Sequence, residues 1–164
     1  MCKFLESELD NPDVQSDKNT LQLIEPLDAS HWQNSFMFPF DEMKLTGPWV
    51  ARRRRDMTSV NQELFTSAPG ARLSFAFEGR GLTLASLFSK MSAEYRYRLD
   101  QGEWIFSNRD RSGWCPDLLG YPRLDLIADD LHAGMHSFEM EIVHGNGLHC
   151  KSTNFHLIFA GIVR

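Results

Sequence analysis

The chain has 164 residues, 42% of them hydrophobic and 12% aromatic, enough for one domain whose core is filled by large side chains. Its charge is unevenly spread: residues 1–28 hold seven acids (Glu6, Glu8, Asp10, Asp13, Asp17, Glu25 and Asp28) against Lys3 and Lys18, and residues 29–164 carry fifteen charges of each sign, so the net charge of −5 belongs to the first segment. A neutral body lacks the cationic excess that drives counterion release, which argues against nucleic acid and anionic membranes as partners.

The first thirty residues are polar and acidic and read as a partly disordered arm, with the folded domain expected over 31–164. The N-terminal stretch lacks the apolar run of a signal peptide and no later segment is long enough to span a bilayer, so a cytoplasmic protein is expected. Three cysteines (Cys2, Cys115, Cys150) are too few for a disulfide framework; Cys115 and Cys150 are expected as separate thiols.

Beyond an aromatic patch from His31 to Phe40, the run Arg52-Arg53-Arg54-Arg55 catches the eye. Its neighbours suit a strand, and alternation then splits the four side chains between two faces. Ion-paired arginines are therefore favoured over a nucleic-acid patch. Leu73, Phe75 and Phe77 alternate with Ser74, Ala76 and Glu78, a half-buried strand of period two. Gly79-Arg80-Gly81 turns the chain, and Leu82–Phe88 reads as the next strand. Tyr95, Tyr97 and Leu99 share a face of the following strand, and Asp100-Gln101-Gly102 turns it into Glu103–Phe106 as a hairpin. Residues 107–122 form a long polar loop, a length that is often functional. Strands resume at Leu124–Ile127, at Ser137–Ile142 with Phe138, Met140 and Ile142 on one side, and at Phe155–Val163. At least six short strands without a long amphipathic helix predict an all-β fold, a two-sheet antiparallel β-sandwich or jelly roll.

Catalytic and metal signatures are weak. There is no GxSxG elbow, no glycine-rich phosphate loop and no CxxC or HExxH, so neither a cofactor nor a metal is expected. His132 and His136 sit four apart, which brings two ligands together on a helix, but Gly134 lies between them in a turn. His144, His149 and Cys150 share a loop without a fourth ligand. Asp129-Asp130-Leu131-His132 spells an Asp-x-x-His pair with no recognisable nucleophile, and a β-turn with a packed histidine explains Leu131–His136 more simply.

The long loop and its approach offer the best candidate ligand site: Trp104, Asn108, Arg109, Asp110 and Trp114. Planar aromatics stack on the apolar faces of sugar rings while Asn, Arg and Asp pair with hydroxyls. The same mixture serves a hot spot for a protein partner, or simply a surface loop pinned by buried tryptophans.

Four stretches also occur in a familiar order: Leu73–Leu84 with its Phe-Glu-Gly, Tyr95–Gly102, then Leu131-His132-Ala133-Gly134-Met135-His136 and the closing strand to Gly161-Ile162. Over residues 71–163 this resembles the small galactose-binding-like jelly-roll domain that precedes the catalytic domain of some SGNH/GDSL-type carbohydrate esterases. Gln101 is an addition to that family's usual Asp-Gly turn, and no Gly-Asp-Ser nucleophile block is present onto which catalytic residues would map. The resemblance implies an accessory module that binds carbohydrate or supports an SGNH-type esterase domain. Two other readings compete. One is a protein-protein or homodimerisation domain exposing Trp32, Phe36 and Phe38. The other is a hydrolase using His132 or His136 with an unrecognised nucleophile.

Overall fold

The computed structural model describes Trp32 and residues 34–53, 61–107, 120–147 and 150–164. The expected acidic arm lies outside the described residues. Eleven strands and one 3-10 turn follow in order: β1 (Ser35–Phe38), the turn Phe40–Glu42, β2 (Lys44–Thr46), β3 (Val50–Arg52), β4 (Glu63–Thr66), β5 (Arg72–Glu78), β6 (Gly81–Phe88), β7 (Glu94–Leu99), β8 (Ile105–Phe106), β9 (Tyr121–Ala128), β10 (Met135–Val143) and β11 (Phe155–Val163). They form the two antiparallel sheets of a β-sandwich. One runs β3-β4-β11-β6-β9 with β1 also paired to β11; the other runs β2-β5-β10-β7-β8.

Period-two patterning decides what lies between the sheets. Leu73, Phe75 and Phe77 of β5 and Phe138, Met140 and Ile142 of β10 are buried in one continuous core with Leu64, Leu82, Leu84, Phe155, Leu157 and Ile162 from the six-stranded sheet. Aromatic rings join the layers: Phe38 stacks on Phe75 at 4.5 Å, and Tyr95 meets Phe155 edge-on at 5.6 Å. Fully burying one such ring is worth about 1.5–3 kcal/mol, so large side chains carry much of the burial that holds the domain together. Cys150 is itself buried, its thiol donating to the Ser92 carbonyl at 3.0 Å; Cys115 lies outside the described residues.

Three features depart from what alternation alone implies. Leu124 and Leu126 of β9 face outward, 67% and 54% exposed, while Asp125 turns to the other side. There the Tyr95 hydroxyl donates to one Asp125 oxygen at 3.0 Å and Arg123 pairs with the other at 2.6 Å, so the carboxylate leaves water without being left unsatisfied. Within the arginine run β3 ends at Arg52, which forms an ion pair with buried Glu63 at 2.6 Å and lies over the Phe65 ring. The ion-paired reading holds for Arg52, and Arg54 and Arg55 lie outside the described residues. Finally, Phe38 is buried and Phe36 half-buried, so of the three aromatics expected on a docking surface Trp32 alone is exposed. Both phenylalanines sit on β1, which the pairing with β11 draws against the core.

The turn at Gly79 carries the chain from one sheet to the other rather than making a hairpin, since β5 and β6 belong to different sheets. A Cβ on Gly79 would stand 2.3 Å from the Val163 carbonyl oxygen, a backbone atom that cannot swing aside. Gly79→Ala is therefore expected to lower unfolding free energy by roughly 3 kcal/mol in urea titration. Gly70→Ala, where a Cβ meets nothing within 4 Å but φ is +86°, should cost only about 1–2 kcal/mol. Equal losses at the two sites would contradict the packing explanation.

Candidate functional site

On β10 the residues between the core positions point outward, and on β5 and β7 the same alternation presents Arg72, Ser74 and Ala76, and Arg96 and Arg98. Register then decides which of them meet. Arg98 lies opposite Glu139 and Glu139 opposite Ser74; Arg96 lies opposite Glu141 and Glu141 opposite Arg72. The result is a two-row ladder of charge across the outer face of the five-stranded sheet. Arg98 donates from Nε to Glu139 at 2.7 Å, and Arg96 reaches both oxygens of Glu141 at 3.1 and 3.0 Å. Arg72 bridges the rows, 2.9 Å from Glu141 and 3.7 Å from Glu139.

Trp104 follows the turn after β7 and lies against this ladder. The guanidinium carbons of Arg96 and Arg98 sit 4.8 and 4.7 Å from its ring centroid, and the indole stays half-buried. Two such contacts, each worth about 0.5–2 kcal/mol, hold a large ring on an otherwise polar surface. A groove of about 520 Å³ opens on the same sheet face and shares Arg98 with this contact, although Trp104 does not line it; Ser74, Ala76 and Ser137 lie along it with Phe75 and Phe138, flanked by Lys44, Arg98 and Gln101. The small residues make room while the flanking side chains supply donors and acceptors, which suits a polyhydroxylated ligand better than an apolar one. Among the described residues the buried Nε of Arg96 has no hydrogen-bond partner.

The turn that delivers Trp104 is itself held by a titratable pair. Asp100 and Gln101 both have positive φ (50° and 59°), and Gly102 N–H closes the turn on the Leu99 carbonyl at 2.8 Å, the arrangement of a type I′ hairpin. Asp100 is fastened by the Ser137 amide at 2.8 Å and by His136 Nδ1 at 2.7 Å. The other His136 nitrogen lies 2.8 Å from the His132 carbonyl oxygen, which can only accept. A carboxylate on one nitrogen and a carbonyl on the other both favour the protonated ring. In keeping with this, the hydrogen bonds to the His132 carbonyl and to Asp100 raise the His136 pKa, and the bond from His136 holds the Asp100 carboxyl low. Both nitrogens of His136 are thus engaged in holding the turn. His132 and His136 do come together, their rings 4.5 Å apart, through the turn and not through a helix.

The outer face of the other sheet is different in kind. Met37, Leu124 and Phe159 line two adjoining grooves of about 590 and 620 Å³, extended by Trp32 and Leu126. Exposed apolar residues gathered in this way mark a contact surface more often than chance.

Of the sequence-predicted site residues, Trp104 takes an outward position beside the ladder, and Asn108, Arg109, Asp110 and Trp114 lie outside the described residues. His149 does as well, while His144 bonds within its own loop through Nδ1 to the Gly145 carbonyl at 2.8 Å. No group of three potential metal ligands occurs among the described residues, and none of the described helices is long and apolar enough to cross a membrane. Arg72, Arg96, Arg98, Glu139 and Glu141 escaped the sequence reading. Their signal was the charged, outward half of each alternating strand, which stays uninformative until register is known.

No family model and no curated protein matches the sequence. Solved structures do. A two-domain esterase active on acetylated mannans superposes over 96% of this chain with a TM-score of 0.66 at 16% identity, and its form co-crystallized with mannopentaose over 85% with a TM-score of 0.65 at 17%. A family two carbohydrate esterase from Cellvibrio japonicus matches over 79% with a TM-score of 0.52 at 15% identity. The likeness is one of fold. This chain covers 43% and 39% of the two mannan-esterase structures and 32% of the Cellvibrio enzyme.

The His136–Asp100 pair sets a pH dependence for the hairpin. A raised histidine pKa contributes stability that is complete below the ordinary value of 6.5 and fades as pH climbs through the raised one; a lowered aspartate pKa contributes stability present above 3.8 and lost as pH falls through the lowered one. Thermal melts of the wild type should therefore show a loss on moving from slightly acid to alkaline pH that is clearly smaller in Asp100→Asn. Parallel profiles for the two proteins would show that the pair does not titrate as described.

Proposed function

We propose that this chain is a non-catalytic carbohydrate-binding module of the jelly-roll kind, and that the outer face of its five-stranded sheet is the glycan site. The observation that carries the reading is Trp104, held by Arg96 and Arg98 on the sheet face where a groove with small residues along it opens. An indole fixed in this way offers a rigid stacking surface whose ordering entropy is already spent before a sugar arrives. The neighbouring serine, glutamine and carboxylate groups match the density of hydroxyls on a pyranose ring. In this reading Asn108, Arg109, Asp110 and Trp114, which follow β8 in the sequence, supply further contacts. The fold shared with a two-domain esterase active on acetylated mannans supports a role beside an SGNH-type esterase domain.

A second reading rests on the apolar outer face of the six-stranded sheet, where Met37, Leu124 and Leu126 are each more than half exposed. That surface suits a protein partner or a second copy of the chain. In sedimentation, a dimer abolished by Leu124→Asp would establish self-association, whereas a strict monomer removes the homodimer.

Affinity electrophoresis through gels containing soluble polysaccharides tests the glycan reading. At least one polysaccharide should retard the protein, and Trp104→Ala should weaken that retardation about tenfold or more, equivalent to 1.4 kcal/mol or above. Ser137→Trp, which fills the groove, should do the same. A protein retarded equally well with either substitution binds elsewhere.

A further inference from the structure

We propose that Glu139 sets the charge selectivity of this groove, confining it to neutral glycans by occupying the arginines that would otherwise attract acidic ones. The inference rests on the glycan-binding reading and adds the class of ligand. Arg98 lines the groove, and with Arg72 and Arg96 it gives the sheet face a set of guanidinium groups of the sort that grips carboxylates and sulfates in bidentate fashion. Each of the three is already engaged by a glutamate of the ladder. Arg98 turns Nε and Nη2 onto Glu139, Arg96 spends Nη2 on both oxygens of Glu141, and Arg72 is shared between the two glutamates.

The ladder is a network of partly buried pairs that helps to fix strand register, and its consequence for a ligand is electrostatic. Glu139 lines the groove beside Arg98 and the two side chains are comparably exposed, so an incoming uronate would meet the carboxylate together with the guanidinium that it neutralises. Lys44, on the opposite side, shares that side with Glu42. What a ligand finds is a set of oriented acceptors and neutral donors, Ser74, Ser137 and Gln101 among them, with little net field. Sugar hydroxyls can exchange hydrogen bonds with such a surface without adding a charge.

Two consequences separate this from simple glycan binding. Retardation of the wild type by a neutral polysaccharide such as glucomannan should change less than about twofold between roughly 50 and 500 mM NaCl, because no ion pair is made, and polygalacturonate should not retard it. Glu139→Gln keeps the shape of the side chain and releases Arg98; this variant should gain retardation by polygalacturonate, about tenfold or more above the wild type at low salt and lost at high salt. Circular dichroism and melting of the variant establish that it is folded. Salt-sensitive retardation of the wild type by polygalacturonate alone overturns the selectivity and leaves the glycan reading standing. A folded Glu139→Gln that gains nothing overturns the role of Glu139. Retardation of the wild type by neither class, across a broad panel of polysaccharides, overturns both readings.

Discussion

The structure depends on the two-residue period of β10. This strand lies in the middle of the five-stranded sheet with β5 on one side and β7 on the other. Its inner positions, Phe138, Met140 and Ile142, are at most 1% exposed, and its outer positions, Glu139 and Glu141, hold the arginines of both neighbours. A slip of one residue would send two carboxylates into the core and three large apolar side chains into water. The hydrophobic pattern and the charge pattern therefore enforce the same register, each from its own face. Because β5, β7 and β10 all obey it, the groove and the arginines beside Trp104 take their places as a by-product of core formation.

The two outer faces of the sandwich are specialised in opposite ways. One is a ladder of guanidinium and carboxylate groups with an indole laid against it; the other exposes Met37, Leu124 and Leu126 over a shallow apolar surface. The second face is made possible by Asp125, which takes the inward position that a leucine would normally fill. Tyr95 and Arg123 satisfy both of its oxygens, so the burial of a carboxylate is tolerated and the leucines are released to the surface. A domain with one polar and one apolar sheet face can engage a hydrophilic ligand and a protein neighbour at the same time, on surfaces that do not compete.

Much of the fold was legible. Leu73, Phe75 and Phe77, Tyr95 and Tyr97, and Phe138, Met140 and Ile142 announce their strands by strict alternation, and each set faces the core as the pattern predicts. The packed histidine was also legible, since Leu131–His136 reads as a turn and His136 is buried at its end. The short strands β1, β2 and β4 were not, because three or four residues carry too little periodicity to stand out. Nor was the outward turn of Leu124 and Leu126, for an alternating strand states which residues share a face and not which face is inside. Of the candidate site, Trp104 was visible as an aromatic next to a polar loop, while its arginine partners were hidden among surface charges.

By itself, then, the sequence determined the fold class, the core strands and the neutral character of the body, because these follow from side-chain chemistry repeated at a local period. It determined nothing about which charges would meet. Arg98 and Glu139 are 41 residues apart, Arg96 and Glu141 45, and Tyr95 and Asp125 30. Each of these contacts exists because antiparallel pairing and the stacking of two sheets bring distant segments to within about 3 Å, the range of a hydrogen bond. Strand order and register are settled by the whole core at once. Only the tertiary structure could decide that the arginines of β7 would be held by the glutamates of β10, with Trp104 laid over them.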